Sequence, residues 1–226
     1  MKHFAIFFLT IIFFFSSAVK ADPEIQLITT NEISFTHPVK SSREAAVKII
    51  SPTGGHGSGL YVEYKKHIGV LTAAHVVDEG SVYRITVNGE EVFGIVVWRA
   101  QNEDIAFLIV EPGLNRKPLR LTPAQNTEVG TRVSYSGYPA SYDLLSVNGL
   151  ISGYDNRGYI LMQGFGWFGA SGSGILNRTN KIVGIVTALP VEEFYGHPQV
   201  LETMILVTPL KEEHVNQIRA VLHMLE

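Results

Sequence analysis

Between residues 45 and 110 the apolar positions gather in six short runs, at 45–50, 57–64, 68–72, 82–87, 91–98 and 105–110. Each is rich in β-branched and aromatic residues and is bounded by Gly, Asn, Pro or charged clusters, a pattern that predicts the strands of an all-β barrel or sandwich. The stretch 111–118 then carries two prolines and a glycine, and reads as a linker. Six further β-like runs follow at 131–137, 145–153, 159–163, 172–177, 182–188 and 203–207, so two six-stranded halves are expected. Beyond residue 207 the period changes. Thr208 is placed to cap a helix, Pro209 suits its first position, and Leu210, Val215, Ile218, Val221, Leu222 and Leu225 share one helical face. This predicts a closing helix over 209–223. Residues 22–43 are polar and unpatterned, and read as an N-terminal extension that wraps the surface or is disordered.

The start of the chain has a different character. Lys2 and His3 precede an apolar run from Phe4 to Phe15, followed by Ser16-Ser17-Ala18-Val19-Lys20-Ala21. That is the layout of a secretory signal peptide over 1–21, cut after Ala21 or Ala18. Even extended to Val19 the run is shorter than the roughly 20 apolar residues that span a bilayer. No later run is longer, so the product is expected to be exported, secreted or periplasmic, with no membrane span. Cleavage would remove Lys2 and Lys20 and no acid, lowering the formal net charge of −3 by a further two. A mildly acidic chain without a long basic run is not suited to nucleic acid.

The chain has no cysteine, which excludes disulfides, thiol nucleophiles and thiolate metal sites. His56, His67, His197, His214 and His223 show no ligand spacing with acids, and no metal or organic cofactor is expected. Catalysis, if present, must use Ser, His, Asp, Glu, Lys or Thr.

Three segments offer the parts that serine acyl transfer needs: a hydroxyl, a base to activate it, a carboxylate to orient the base, and backbone donors for an oxyanion. His75 follows the apolar run Leu71-Thr72-Ala73-Ala74. Asp104 directly precedes Ile105-Ala106-Phe107-Leu108. Ser171 lies in Gly169-Ala170-Ser171-Gly172-Ser173-Gly174, a loop that needs glycine-tolerant backbone and could aim the amides of Gly169 and Ser171 together. Alone, each has a blander reading: a packing histidine, a strand-entry acid, an ordinary turn. An α/β-hydrolase would need Gly-x-Ser-x-Gly, but the position two after Ser171 is Ser173, and its triad order would differ.

Together, in the order His, Asp, Ser, these segments resemble the signature segments of trypsin-like serine proteases. Gly57-Ser58-Gly59-Leu60 resembles the early motif of bacterial members, and Gly137-Tyr138-Pro139 their second-barrel Gly-x-Pro turn. The resemblance implies two six-stranded antiparallel barrels, about 44–112 and 119–208 of a domain over 44–226, with a cleft between them. It implies His75 as base, Asp104 as its orienting acid, Ser171 as nucleophile, and the Gly169 and Ser171 amides as oxyanion hole, acting on protein or peptide substrates. Ala170 stands where many animal members have an aspartate that pairs with a newly cut N-terminus, so activity without that switch is expected. Counting back from Ser171 puts Phe165 at the floor of the specificity pocket, with Thr187, Ala188 and Leu189 on its wall; Trp167 and Phe168 either line the cleft or pack beneath it. The alternative is a trypsin-like fold that has lost turnover and serves as an exported binding protein.

Overall fold

The structure, a computed structural model, describes residues 38–111 and 113–226. The expected signal peptide at 1–21 and most of the extension at 22–43 lie outside the described residues. The described part opens on α1 (Val39–Ala45), followed by β1 (Ala46–Ile50), β2 (His56–Tyr64), β3 (His67–Thr72), β4 (Val82–Val87), β5 (Glu90–Arg99), β6 (Ala106–Val110) and β7 (Leu119–Arg120). Strands β1, β4, β5, β6, β3 and β2 pair in that order, and β1 pairs back onto β2 to close a six-stranded barrel; β7 adds to β2 in parallel. β8 (Arg132–Gly137), β9 (Leu145–Tyr154), β10 (Ile160–Gln163), β11 (Gly174–Asn177), β12 (Ile182–Ala188) and β15 (Met204–Pro209) close a second barrel. β13 (Val191–Phe194) and β14 (His197–Val200) form a hairpin between β12 and β15, and α2 (Glu212–Met224) follows. The twelve predicted strands are thus the twelve barrel strands, and the chain has the two-barrel all-β architecture with one helix near its end.

Burial explains why these runs become strands. In β1 the pleat turns Val47 and Ile49 inward, to the side where Val70 packs over Gly59. Gly59 is needed among them, because a Cβ there would sit 2.4 Å from Val70 Cγ1. The second barrel closes over Val133, Tyr135, Ile151, Met162, Ile175, Val186 and Ile205. Leu176, Ile182 and Ile185 of that barrel belong instead to the apolar cluster of the first, together with Val215, Ile218 and Leu222 of α2.

Two boundaries differ from the sequence pattern. α1 occupies part of the stretch that reads as unpatterned; it buries only Val39, Ser42 and Ala45 and has no side-chain N-cap. It is held from outside, with Ser42 Oγ against Ser136 Oγ and Arg43 donating to Leu144 O (3.1 Å) and Ser146 Oγ (2.9 Å). Thr208 and Pro209 do not start the closing helix. They end β15, opposite Ile185 and Gly184, and the ladder continues through Leu210 N to Val183 O at 3.0 Å. Proline is compatible with a strand end as well as with a first helical turn, so the helix begins later, with Lys211 at its N-cap and Glu212 and Glu213 in its first turn. Among the described residues no helix is long and apolar enough to cross a membrane, and no three metal-binding side chains come together.

Candidate active site

His75 stands on a short 3-10 turn, Ala74–Val77, immediately after β3. Asp104 ends the loop before β6, a loop tightened by Ala100 N to Ile105 O (3.0 Å) and Ile105 N to Glu103 O (2.9 Å). The two meet twice. The His75 amide donates to Asp104 Oδ1 at 2.9 Å, and Nδ1 lies 2.7 Å from Oδ2. A carboxylate only accepts, so Nδ1 carries the proton and, in the neutral ring, Nε2 keeps its lone pair. The hydrogen bond that Nδ1 donates to Asp104 raises the His75 pKa above its usual value, against the opposing effect of burial.

The Ser171 loop is built by contacts rather than by turn propensity alone. Ser171 O accepts the Ser58 amide (2.7 Å), and Gly172 N donates to Val186 O (2.8 Å). Gly172 has φ +90° and could carry no side chain, since a Cβ would lie 2.0 Å from Ser58 O. Gly169, at φ +92°, is equally confined by Tyr138 O and His56 Nε2, 2.5 and 2.6 Å from an added Cβ. Phe168 O is engaged by the Ala140 amide at 2.6 Å. Neither the Gly169 nor the Ser171 amide donates to another described residue, which leaves both available to a bound anionic oxygen.

Ser58 is the residue whose role the sequence left unread. It is fully buried, donates through Oγ to Gly169 O (2.8 Å) and accepts the Tyr138 amide on the same oxygen (2.9 Å). Its carbonyl accepts Thr72 Oγ1 (2.7 Å). Gly57-Ser58-Gly59 in the first barrel therefore holds both the nucleophile loop and the Gly137-Tyr138-Pro139 turn of the second. His56 adds Nε2 to Tyr138 O at 2.9 Å. A second support lies behind Asp104. Glu103 accepts Lys211 Nζ at 2.5 Å and His214 Nε2, so the loop is latched to α2. Burial would raise the Glu103 carboxyl, but these two donors outweigh it and hold the pKa below the ordinary value.

His75 and Ser171 share a cleft of about 340 Å³. The Ser171 hydroxyl points to Thr187 O at 3.4 Å rather than to His75. Thr187, Ala188 and Leu189 line the cleft, and so do Trp167 and Phe168. Phe165 does not. The main chain here extends the β10–β15 pairing through Gly164 N to Thr203 O and Gly166 N to Glu202 O. Gly166 faces Leu189, 2.7 Å from Leu189 Cδ2 to an added Cβ, and alternation turns Phe165 away, where it is 39% exposed.

Solved structures share the two-barrel fold. A serine endoprotease from Yersinia pestis superposes with a TM-score of 0.66 at 19% identity, over 85% of this chain and 68% of that one. A protease from M. tuberculosis in its active form gives 0.65 at 20%, over 81% and 84%. A serine protease of a human pathogenic astrovirus gives 0.59 at 18%, over 76% and 92%. No curated protein matches the chain in sequence. The model of the trypsin-like peptidase domain matches residues 57–185, more than half of the chain and the span that holds His75, Asp104 and Ser171; the chain belongs to the trypsin-like peptidase family.

Proposed function

We propose that this protein is an exported serine endopeptidase that cleaves peptide bonds through an acyl-enzyme on Ser171. The observation that carries the reading is the double contact of His75 with Asp104 in a cleft shared with Ser171. His75 Nε2 takes the Ser171 proton as the hydroxyl attacks the scissile carbonyl, and returns it to the leaving amine; a water then repeats the attack on the ester. Asp104 keeps the imidazole in the required tautomer. The Gly169 and Ser171 amides hold the negative oxygen of each tetrahedral intermediate. The mechanism requires the Ser171 hydroxyl to turn from Thr187 O toward His75, and catalytic hydrogen bonds commonly tighten only around substrate.

Labelling of the purified protein by a fluorophosphonate, with peptide hydrolysis measured alongside, tests this. Ser171→Ala is expected to abolish labelling and to lower hydrolysis by on the order of 10³-fold or more, because the three residues act as a unit. Retained turnover in that variant excludes the mechanism. A folded wild-type protein that neither labels nor hydrolyses is instead a binding protein.

The cleft wall also supports a substrate preference. Val186, Ala188 and Leu189 offer no acid, and a buried cation without a partner would cost several kcal/mol. Cleavage after Val, Ala, Leu or similar residues is expected, with modest discrimination of about 1–3 kcal/mol per methylene. Mass-spectrometric mapping of cuts in a denatured protein checks it; a majority after Lys or Arg contradicts it. Export through the leader at 1–21 is tested by sequencing the N-terminus of the protein recovered outside the cytoplasm, expected at Asp22 or Val19.

A further inference from the structure

β13 and β14 stand between two barrel strands yet bury neither of their own faces. All eight of their residues are exposed. The joining residues Tyr195 and Gly196 both have positive φ, 51° and 78°, as a tight two-residue hairpin turn requires. A hairpin with no buried face is marginal in water, and this one holds Val191, Phe194, Tyr195 and Val200 in solvent. Two of these have a second neighbour: Val191 and Val200, directly opposite each other in the pairing, line the cleft that contains His75 and Ser171. The arm is therefore the outer wall of that cleft.

Its charge has one sign. From residue 182 to 210 the chain carries Glu192, Glu193 and Glu202 and neither Lys nor Arg, and among the described residues none of the three acids forms an ion pair. Opposed residues of an antiparallel pair share a face and alternate along it. Glu193, opposite Pro198, thus lies on the same face as Val191 and Val200, while Glu192 and Gln199 lie on the other. Two residues along a strand is about 7 Å. An extended peptide lying along the arm advances by the same step, so a side chain in the cleft brings another about two positions away to Glu193.

We propose that this arm is a docking surface for an extended polypeptide substrate, taking an apolar side chain between Val191, Val200 and Leu189 and a Lys or Arg within about two residues of it on Glu193. The proposal rests on the peptidase reading and names the substrate class of that site. A continuous apolar wall favours a chain that enters the cleft, and an acidic face without internal partners favours a cation on it.

The test uses matched peptides with one apolar cleavage residue and either Lys or Glu at each of the three positions on both sides, cleaved by the wild type, Glu193→Lys and Glu192→Lys. Wild type is expected to prefer the Lys peptide at one or more positions by about threefold or more in kcat/KM, the range of an exposed ion pair, and to lose most of the preference at about 0.5 M salt, where exposed charges are screened. Glu193→Lys reverses the preference, whereas Glu192→Lys retains most of it. Equal rates on Lys and Glu peptides, a preference that survives Glu193→Lys, or sedimentation showing a dimer that Glu193→Lys dissolves would each overturn the proposal. Absence of all hydrolysis and of fluorophosphonate labelling would overturn the peptidase reading itself; turnover without charge preference overturns only the docking.

Discussion

Asp104 accepts two hydrogen bonds from one residue, the ring and the amide of His75, and this decides how acid affects the protein. The contact favours the charged imidazole, so the folded pKa lies above the unfolded value of about 6.5. The stabilisation from the pair is therefore complete below about pH 6.5 and is lost as pH rises through the raised native pKa. It is small, because the imidazole is about half exposed. The proposed activity runs the opposite way, since in that mechanism only neutral His75 can accept the serine proton. The acid limb of kcat/KM should have its midpoint above about 6.5, and Asp104→Asn should move that midpoint down while lowering the plateau. A limb centred at or below the unperturbed value, or one unmoved in Asp104→Asn, contradicts the assignment. His75, Asp104 and Ser171 could be picked out from the sequence as candidates because each sits in a short motif and the three occur in family order. Phe165 was misplaced because position was inferred by counting, and counting cannot see that Gly166 takes the inward place against Leu189.

A strand can also act as a brace, and β2 does so through Ser58. Replacing Ser58 by Ala removes one oxygen that serves two main-chain groups, Gly169 O and Tyr138 N, and leaves both without a partner in a buried setting, at a cost of about 1–3 kcal/mol. Because Gly169 contributes an amide to the proposed oxyanion site, the expected signature is a lower melting temperature together with a fall in kcat of about tenfold and little change in KM. An unchanged kcat would show that the loop holds its shape without the hydroxyl. The barrel strands were legible because each presents an apolar face or a fully apolar run to a core. The elements that were not legible lack that signal. β13 and β14 are exposed on both faces, β7 has two residues, and α1 is held by contacts to residues about a hundred positions away. Pro209 misled the helix start because its fixed backbone angle fits either setting.

Across the whole molecule the core of the first barrel reaches into the second, which also has a cluster of its own. Leu176, Ile182 and Ile185 of the second pack in one cluster with the first barrel and α2. Unfolding of the protein is thus expected to be a single transition by circular dichroism and by tryptophan fluorescence, with Ile182→Ala lowering stability by about 2–5 kcal/mol in both signals at once. Two separated transitions, or a loss confined to one signal, would mean that the barrels melt independently. The latch of Glu103 on Lys211 and His214 has a consequence in time. Its partners are made 108 and 111 residues later than the loop they secure, and the strands that close the second barrel emerge in the same interval. A ribosome-bound chain that has passed Asp104 but not yet reached Lys211 and His214 lacks this latch, so the proposed protease is expected to sharpen only once those two residues have emerged.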